Sequence, residues 1–139
     1  MWKKAALLIG LLAQISLVQA ELIIEDGYIR APLPGRYMSA AFMTLKNTGG
    51  QDIVLKTASI QGAGLVEYHT HSHKDGVMRM RQIHELTVPA GEKVVLEPGG
   101  LHLMVFKIGQ LPAQPYLSVC DGNNQCWDQK LKKQDLVKR

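Results

Sequence analysis

Cysteine is scarce in this sequence, and the positions of the few present are informative. Cys120 and Cys126 are the only two. Neither lies near the apolar N-terminal segment, so a lipid-anchored form is not indicated. The five residues between them exclude the C-x-x-C of a thioredoxin-type redox centre. No histidine follows either one, which is the wrong order for the Cys, two-His, Met site of an electron-transfer cupredoxin. They flank the turn-like Asp121-Gly122-Asn123-Asn124-Gln125. In an oxidising compartment such a pair is most simply a disulfide; a thiolate metal site is the competing reading. The chain also lacks an internal repeat, a low-complexity segment and a linker able to divide it, so its 139 residues fit one domain. It has no Ser/His/Asp nucleophile motif and no paired carboxylates beside the histidines, which argues against an enzyme. The formal charge of +4 is not gathered on an aromatic-bearing segment, which argues against nucleic acid. The one basic run, Lys130, Lys132, Lys133, Lys138 and Arg139, reads as a solvated tail, with an acidic docking partner as the alternative.

Long apolar runs are missing too, except at the start. Lys3 and Lys4 precede an uncharged stretch from Ala5 to Val18, and Val18-Gln19-Ala20 offers small or modest residues at cleavage positions. The stretch is about 14 residues, short of the roughly 20 that span a bilayer. It reads as a signal peptide (residues 1–20) cleaved after Ala20, with a periplasmic domain over 21–139 and no stable membrane insertion after cleavage. A retained anchor is the competing reading.

What is present is a series of short apolar or alternating runs closed by Gly, Pro, Asn or Asp. The runs are Leu22–Arg30, Ser39–Lys46, Ile53–Ile60, Leu65–His73, Val77–Ile83, Glu85–Val88, Lys93–Leu96, Leu101–Ile108, Tyr116–Cys120 and Cys126–Leu131. No window after residue 20 sustains an apolar period of 3.6. Strands at this spacing predict an all-β sandwich or barrel. A domain of this size buries a core without help from the cysteines.

Histidine and methionine carry the chemistry. His69, His71 and His73 alternate along one predicted strand and so share a face. Met78 and Met80 share a face of the next, and His102 and Met104 share a face of a third. Asp75-Gly76 between the first two runs predicts a hairpin that folds the histidines against the methionines. Imidazole suits several transition metals, whereas the soft, neutral thioether selects Cu(I). A two-His, two-Met set adds no negative charge and so penalises Cu(II), which is left as a weak second guest. Only the histidines compete with protons, so affinity should weaken below an imidazole pKa of about 6.5. Met38 and Met43 read as core filler, and His84 as structural. His71, His73 and Met78 are possible accessory groups.

The spacing of these residues resembles the periplasmic copper chaperones called PCuAC. In that motif a His is followed by ten residues and a Met, then by twenty-one residues and His-x-Met. His69, Met80, His102 and Met104 fit both gaps without an insertion. Glu67-Tyr68-His69, Asp75-Gly76-Val77-Met78-Arg79-Met80, Gly99-Gly100-Leu101-His102-Leu103-Met104, Arg30-Ala31-Pro32, Ala40–Thr44 and Asn47 look like that family as well. The resemblance implies a cupredoxin-like β-sandwich of Greek-key type that carries Cu(I) through those four residues. It also implies delivery to the CuA centre of cytochrome c oxidase, alongside Sco-type proteins. Storage or resistance uses the same ligands and remains the alternative. The tail from Leu131 to Arg139 lacks the His and Met of some members' copper-binding extensions, and the cysteine pair is not part of the motif.

Overall fold

The computed structural model describes residue 6, residues 9–14 and residues 21–135. The expected cleavage site at Val18–Ala20, and Lys138 and Arg139 of the basic run, lie outside them. Among the described residues there is no helix, and none therefore long and apolar enough to cross a membrane. The strands are β1 Leu22–Arg30, β2 Ser39–Asn47, β3 Ile53–Ile60, β4 Ala63–Lys74, β5 Val77–Ile83, β6 Leu86–Val88, β7 Lys93–Leu96, β8 His102–Ile108, β9 Tyr116–Asp121, β10 Cys126–Lys130 and β11 Lys132–Gln134. Most boundaries fall where alternation gives way to turn residues, as expected for short strands.

Hydrogen bonding runs in the order β10-β9-β3-β4-β8-β2-β1-β11, with β5 added to β4, β6 to β3 and β7 to β2. β10 and β11 lie at opposite ends of this path, yet only Leu131 separates them in the chain. The sheet must therefore fold over on itself, and its two halves enclose the core as a β-sandwich. Leu131 is fully buried at the crossing. It packs where β1 bulges between Glu25 and Tyr28. At that bulge Gly27 has no side chain to obstruct it: a Cβ there would sit 2.6 Å from Leu131 Cδ2.

The described lysines of the basic run, Lys130, Lys132 and Lys133, are exposed or half-buried, but they belong to strands and not to a tail. Lys132–Gln134 is a strand, paired in parallel with Tyr28–Arg30 of β1. Its residues are too polar and too few to signal a strand alone. The buried anchor at Leu131 and the open edge of β1 make it one.

The core draws one face of each central strand. Val66 and Tyr68 of β4, Ala41, Met43 and Leu45 of β2, and Leu103 and Val105 of β8 all point into it. Tyr68, whose phenol is held protonated by burial, donates its hydroxyl to the Thr57 carbonyl at 2.8 Å. Asn47 is buried and satisfied: its amide donates to the carbonyls of Gln51 and Val88, and its oxygen accepts from the Gly49 N–H. Such pairing offsets the cost of burying an amide.

Cys120 and Cys126 form a disulfide across register partners of β9 and β10, which settles the alternatives for that pair. The loop it closes is short. Replacing both cysteines by serine should cost about 2 kcal/mol in urea unfolding, with the far-UV spectrum of the folded state unchanged.

Candidate metal centre

The residues that do not face the core define a second, outer face. On β4 these are Glu67, His69 and His71; on β8, His102 and Met104. β8 is consequently buried on both faces. His102 is 3% exposed and Met104 9%, although neither belongs to the core cluster. Register places His69 opposite His102 and Glu67 opposite Met104. The β4–β5 hairpin turns at Asp75 and Gly76, both at positive φ (53° and 74°), as a two-residue type I′ turn requires. That turn fixes the pairing of the two strands. Met80 lies opposite His71, Met78 opposite His73, and Gln82 opposite His69.

A cavity of about 570 Å³ lies between this outer face and the connection that precedes β2. His71, Met80, His102 and Met104 line it together, joined by Met38 and Phe42. Arg30 stacks on Phe42 at 4.9 Å, and the Phe42 ring lies 6.3 Å from that of His102. His69 stands beside the cavity, its ring 5.8 Å from His102. The His71 ring is nearer, at 5.1 Å. Of the two thioethers, Met104 is buried whereas Met80 is half exposed. His73 and Met78 face each other farther out and do not line the cavity. His84 is exposed outside it, and Met43 is core, as its strand pattern predicts.

Met38 corrects the sequence reading. It is not core filler: it is 44% exposed and lines the cavity mouth. The apolar pattern of β2 misleads because β2 begins at Ser39, one residue later.

Hydrogen bonding prepares the imidazoles unequally. His102 Nδ1 donates to the Gly100 carbonyl at 3.0 Å, which orients the ring and leaves Nε2 as the lone-pair nitrogen. Burial pushes its pKa down, and the neighbouring His71 and His69 add to the effect, against an upward push from the Gly100 bond. His102 thus stays neutral to lower pH than a free imidazole. His69 Nε2 meets the Glu67 carboxylate at 2.8 Å, the partnership that commonly orients a metal-binding histidine. Nδ1 of His69 and Nδ1 of His71 are buried with no hydrogen-bond partner. An unpaired buried nitrogen costs about 1–3 kcal/mol, so two beside a third imidazole fit a bound cation. Among the described residues no three His, Cys, Asp or Glu side chains stand at a common ligating distance. A metal held here has to use the thioethers or draw the rings inward.

Fold and site together define a small all-β sandwich with imidazole and thioether groups gathered around one outer-face cavity. By sequence the chain belongs to the LpqE-like family ("Putative lipoprotein LpqE-like"), whose model matches residues 22–115. That span holds every residue of the cavity cluster but neither cysteine. A curated relative, "Putative lipoprotein Lxx21020" of Leifsonia xyli subsp. xyli (strain CTCB07), is 30% identical over 84 residues. Those residues are 60% of this chain and 49% of the relative, so the chain spans about half that protein's length. In structure the chain has the fold of PCuAC domains. It is similar to the copper-bound PCuAC domain from PmoF2, at a TM-score of 0.67 and 17% identity over 83% of this chain and 93% of that one. It is similar also to Cu(I)-bound DR1885 from Deinococcus radiodurans, at 0.65 and 23% identity over 88% and 85%.

Proposed function

We propose that this protein is an exported copper carrier. It binds Cu(I) through His69, Met80, His102 and Met104 and passes the ion to a partner, with no catalysis of its own. One observation supports the reading: Met80, His102 and Met104, separated widely in sequence, line one cavity with His71, and the His69 ring stands beside it, 5.8 Å from His102. Soft, uncharged sulfur beside imidazole is a donor set for Cu(I), not for zinc or magnesium. The burial gradient suits a carrier, since His102 and Met104 hold the ion from inside and half-exposed Met80 can yield its place to an incoming ligand. Two solved structures of the same fold, the PCuAC domain from PmoF2 and DR1885, are copper-bound. An electron-transfer site is disfavoured because the disulfide consumes both cysteines and leaves no thiolate.

Export rests on the signal-like first twenty residues, with cleavage after Ala20, and on the lipoprotein names of the family and the relative. The recipient we infer by resemblance is the CuA subunit of cytochrome c oxidase or a Sco-type thiol protein. A competition titration against a colorimetric Cu(I) chelator should give one tightly held ion per chain. The loaded protein, mixed with an apo CuA domain or an apo Sco-type protein, should then lose its copper to the partner. No binding would refute the carrier. Binding without transfer to either partner would make the protein a periplasmic copper store.

A further inference from the structure

We propose that His71 is a copper ligand in this chain, and that His69, His71 and His102 together form an all-nitrogen set for Cu(II) beside the thioethers that serve Cu(I). The proposal rests on the copper reading above and extends it to a residue outside the four-residue motif.

Three observations place His71 in the site. It lines the cavity with Met80, His102 and Met104. The hairpin register sets it directly opposite Met80, whereas His69 is opposite Gln82. Its Nδ1 is buried and unpartnered, as is that of His69. The ring spacing is also suitable. An imidazole nitrogen sits about 2.0–2.1 Å from a zinc-sized first-row ion. Two rings on one such ion therefore have centroids roughly 4.5–5.2 Å apart. His71 and His102 stand at 5.1 Å, and His69 and His102 at 5.8 Å. The three rings do not stand at a common ligating distance in this structure, so Cu(II) has to draw His69 inward to complete the set.

The chemistry favours the higher oxidation state. Imidazole nitrogen suits Cu(II) better than thioether sulfur does, and Cu(II) heads the affinity order of the divalent first-row ions. The Glu67 carboxylate on His69 Nε2 puts negative charge next to the cation without occupying a ligand position. His73 completes a run of alternating histidines, but it faces Met78 at the exposed end of β4 and has no place in the cavity.

The test uses the metal alone, as Cu(II) and Cu(I) in separate titrations of the full mature chain. Electron paramagnetic resonance of the Cu(II) form should show coupling to three nitrogens. In His71→Ala the coupling should fall to two, with Cu(II) affinity lower by at least about tenfold. His71→Met should behave the same way towards Cu(II) and still bind Cu(I). His73→Ala should leave both ions unaffected. The proposal is overturned if His71→Ala keeps its Cu(II) affinity and nitrogen count, or if His73→Ala loses as much Cu(II) as His71→Ala. The latter would mean a chelate at the exposed strand end. Wild-type protein that binds Cu(II) through three nitrogens but not Cu(I) would refute the carrier and leave this assignment standing. One that binds Cu(I) with His71 idle would do the reverse.

Discussion

His102→Ala should lower Cu(I) affinity by at least about 100-fold, or ~2.7 kcal/mol of binding free energy. His102 is the most deeply buried donor of the set. Its ring is held by the Gly100 carbonyl with Nε2 left free, so no ordering is needed before it binds. Water entering the vacated space is a harder and poorer ligand for Cu(I) than imidazole. Because His102 also packs near Phe42, the variant could lose copper through lost structure. Met80→Ala controls for this. Met80 is half exposed on β5, so its truncation should leave the unfolding midpoint unchanged and still cut Cu(I) affinity by about tenfold or more. Chelator competition with a denaturation curve on each variant decides the matter. Unchanged affinity in both would remove these residues from the site.

Leu131→Ala should cost about 3 kcal/mol of stability, within the usual 2–5 kcal/mol for a buried leucine. Leu131 is 1% exposed and seals the crossing where the two ends of the sheet meet. Its Cδ2 fills the space that Gly27 leaves open, so the cavity made there is lined by a bulge that cannot easily collapse. β11 pairs with β1 at only three positions and depends on this anchor. A urea midpoint displaced by that amount, with amide exchange accelerated first at Lys132–Gln134, is the expected pattern. A loss below about 1 kcal/mol would mean that the crossing is held by other contacts.

Local features of the sequence account for much of the fold. β1, β3, β5 and β7 span the residues that alternation and turn chemistry assign them, because half-buried strands impose a period of two. Asp75-Gly76 is legible for the same kind of reason: both residues tolerate positive φ, and a two-residue turn needs it twice. The same turn carried a signal that the motif obscures. Counting outward from it pairs Met80 with His71, not with His69, and so places His71 in the cavity. β11 was not legible, since three polar residues form a strand only where an unpaired edge and a buried neighbour await them. Nor was Met38, whose exposure depends on a connection that folds across the outer face.

The sequence by itself determined which donors are available and that soft sulfur stands beside imidazole, since both are properties of residue type. It also determined the strand faces on which they lie. Beyond the pairing that the β4–β5 turn fixes, tertiary structure alone decided which of those donors meet. It set the register of β4 against β8, which puts His69 beside His102, and buried His102 and Met104 while leaving Met80 half exposed. It also tied both cysteines into a bond away from the cavity. These outcomes depend on contacts between residues far apart in the chain, and side-chain period carries no information about which strand becomes whose neighbour.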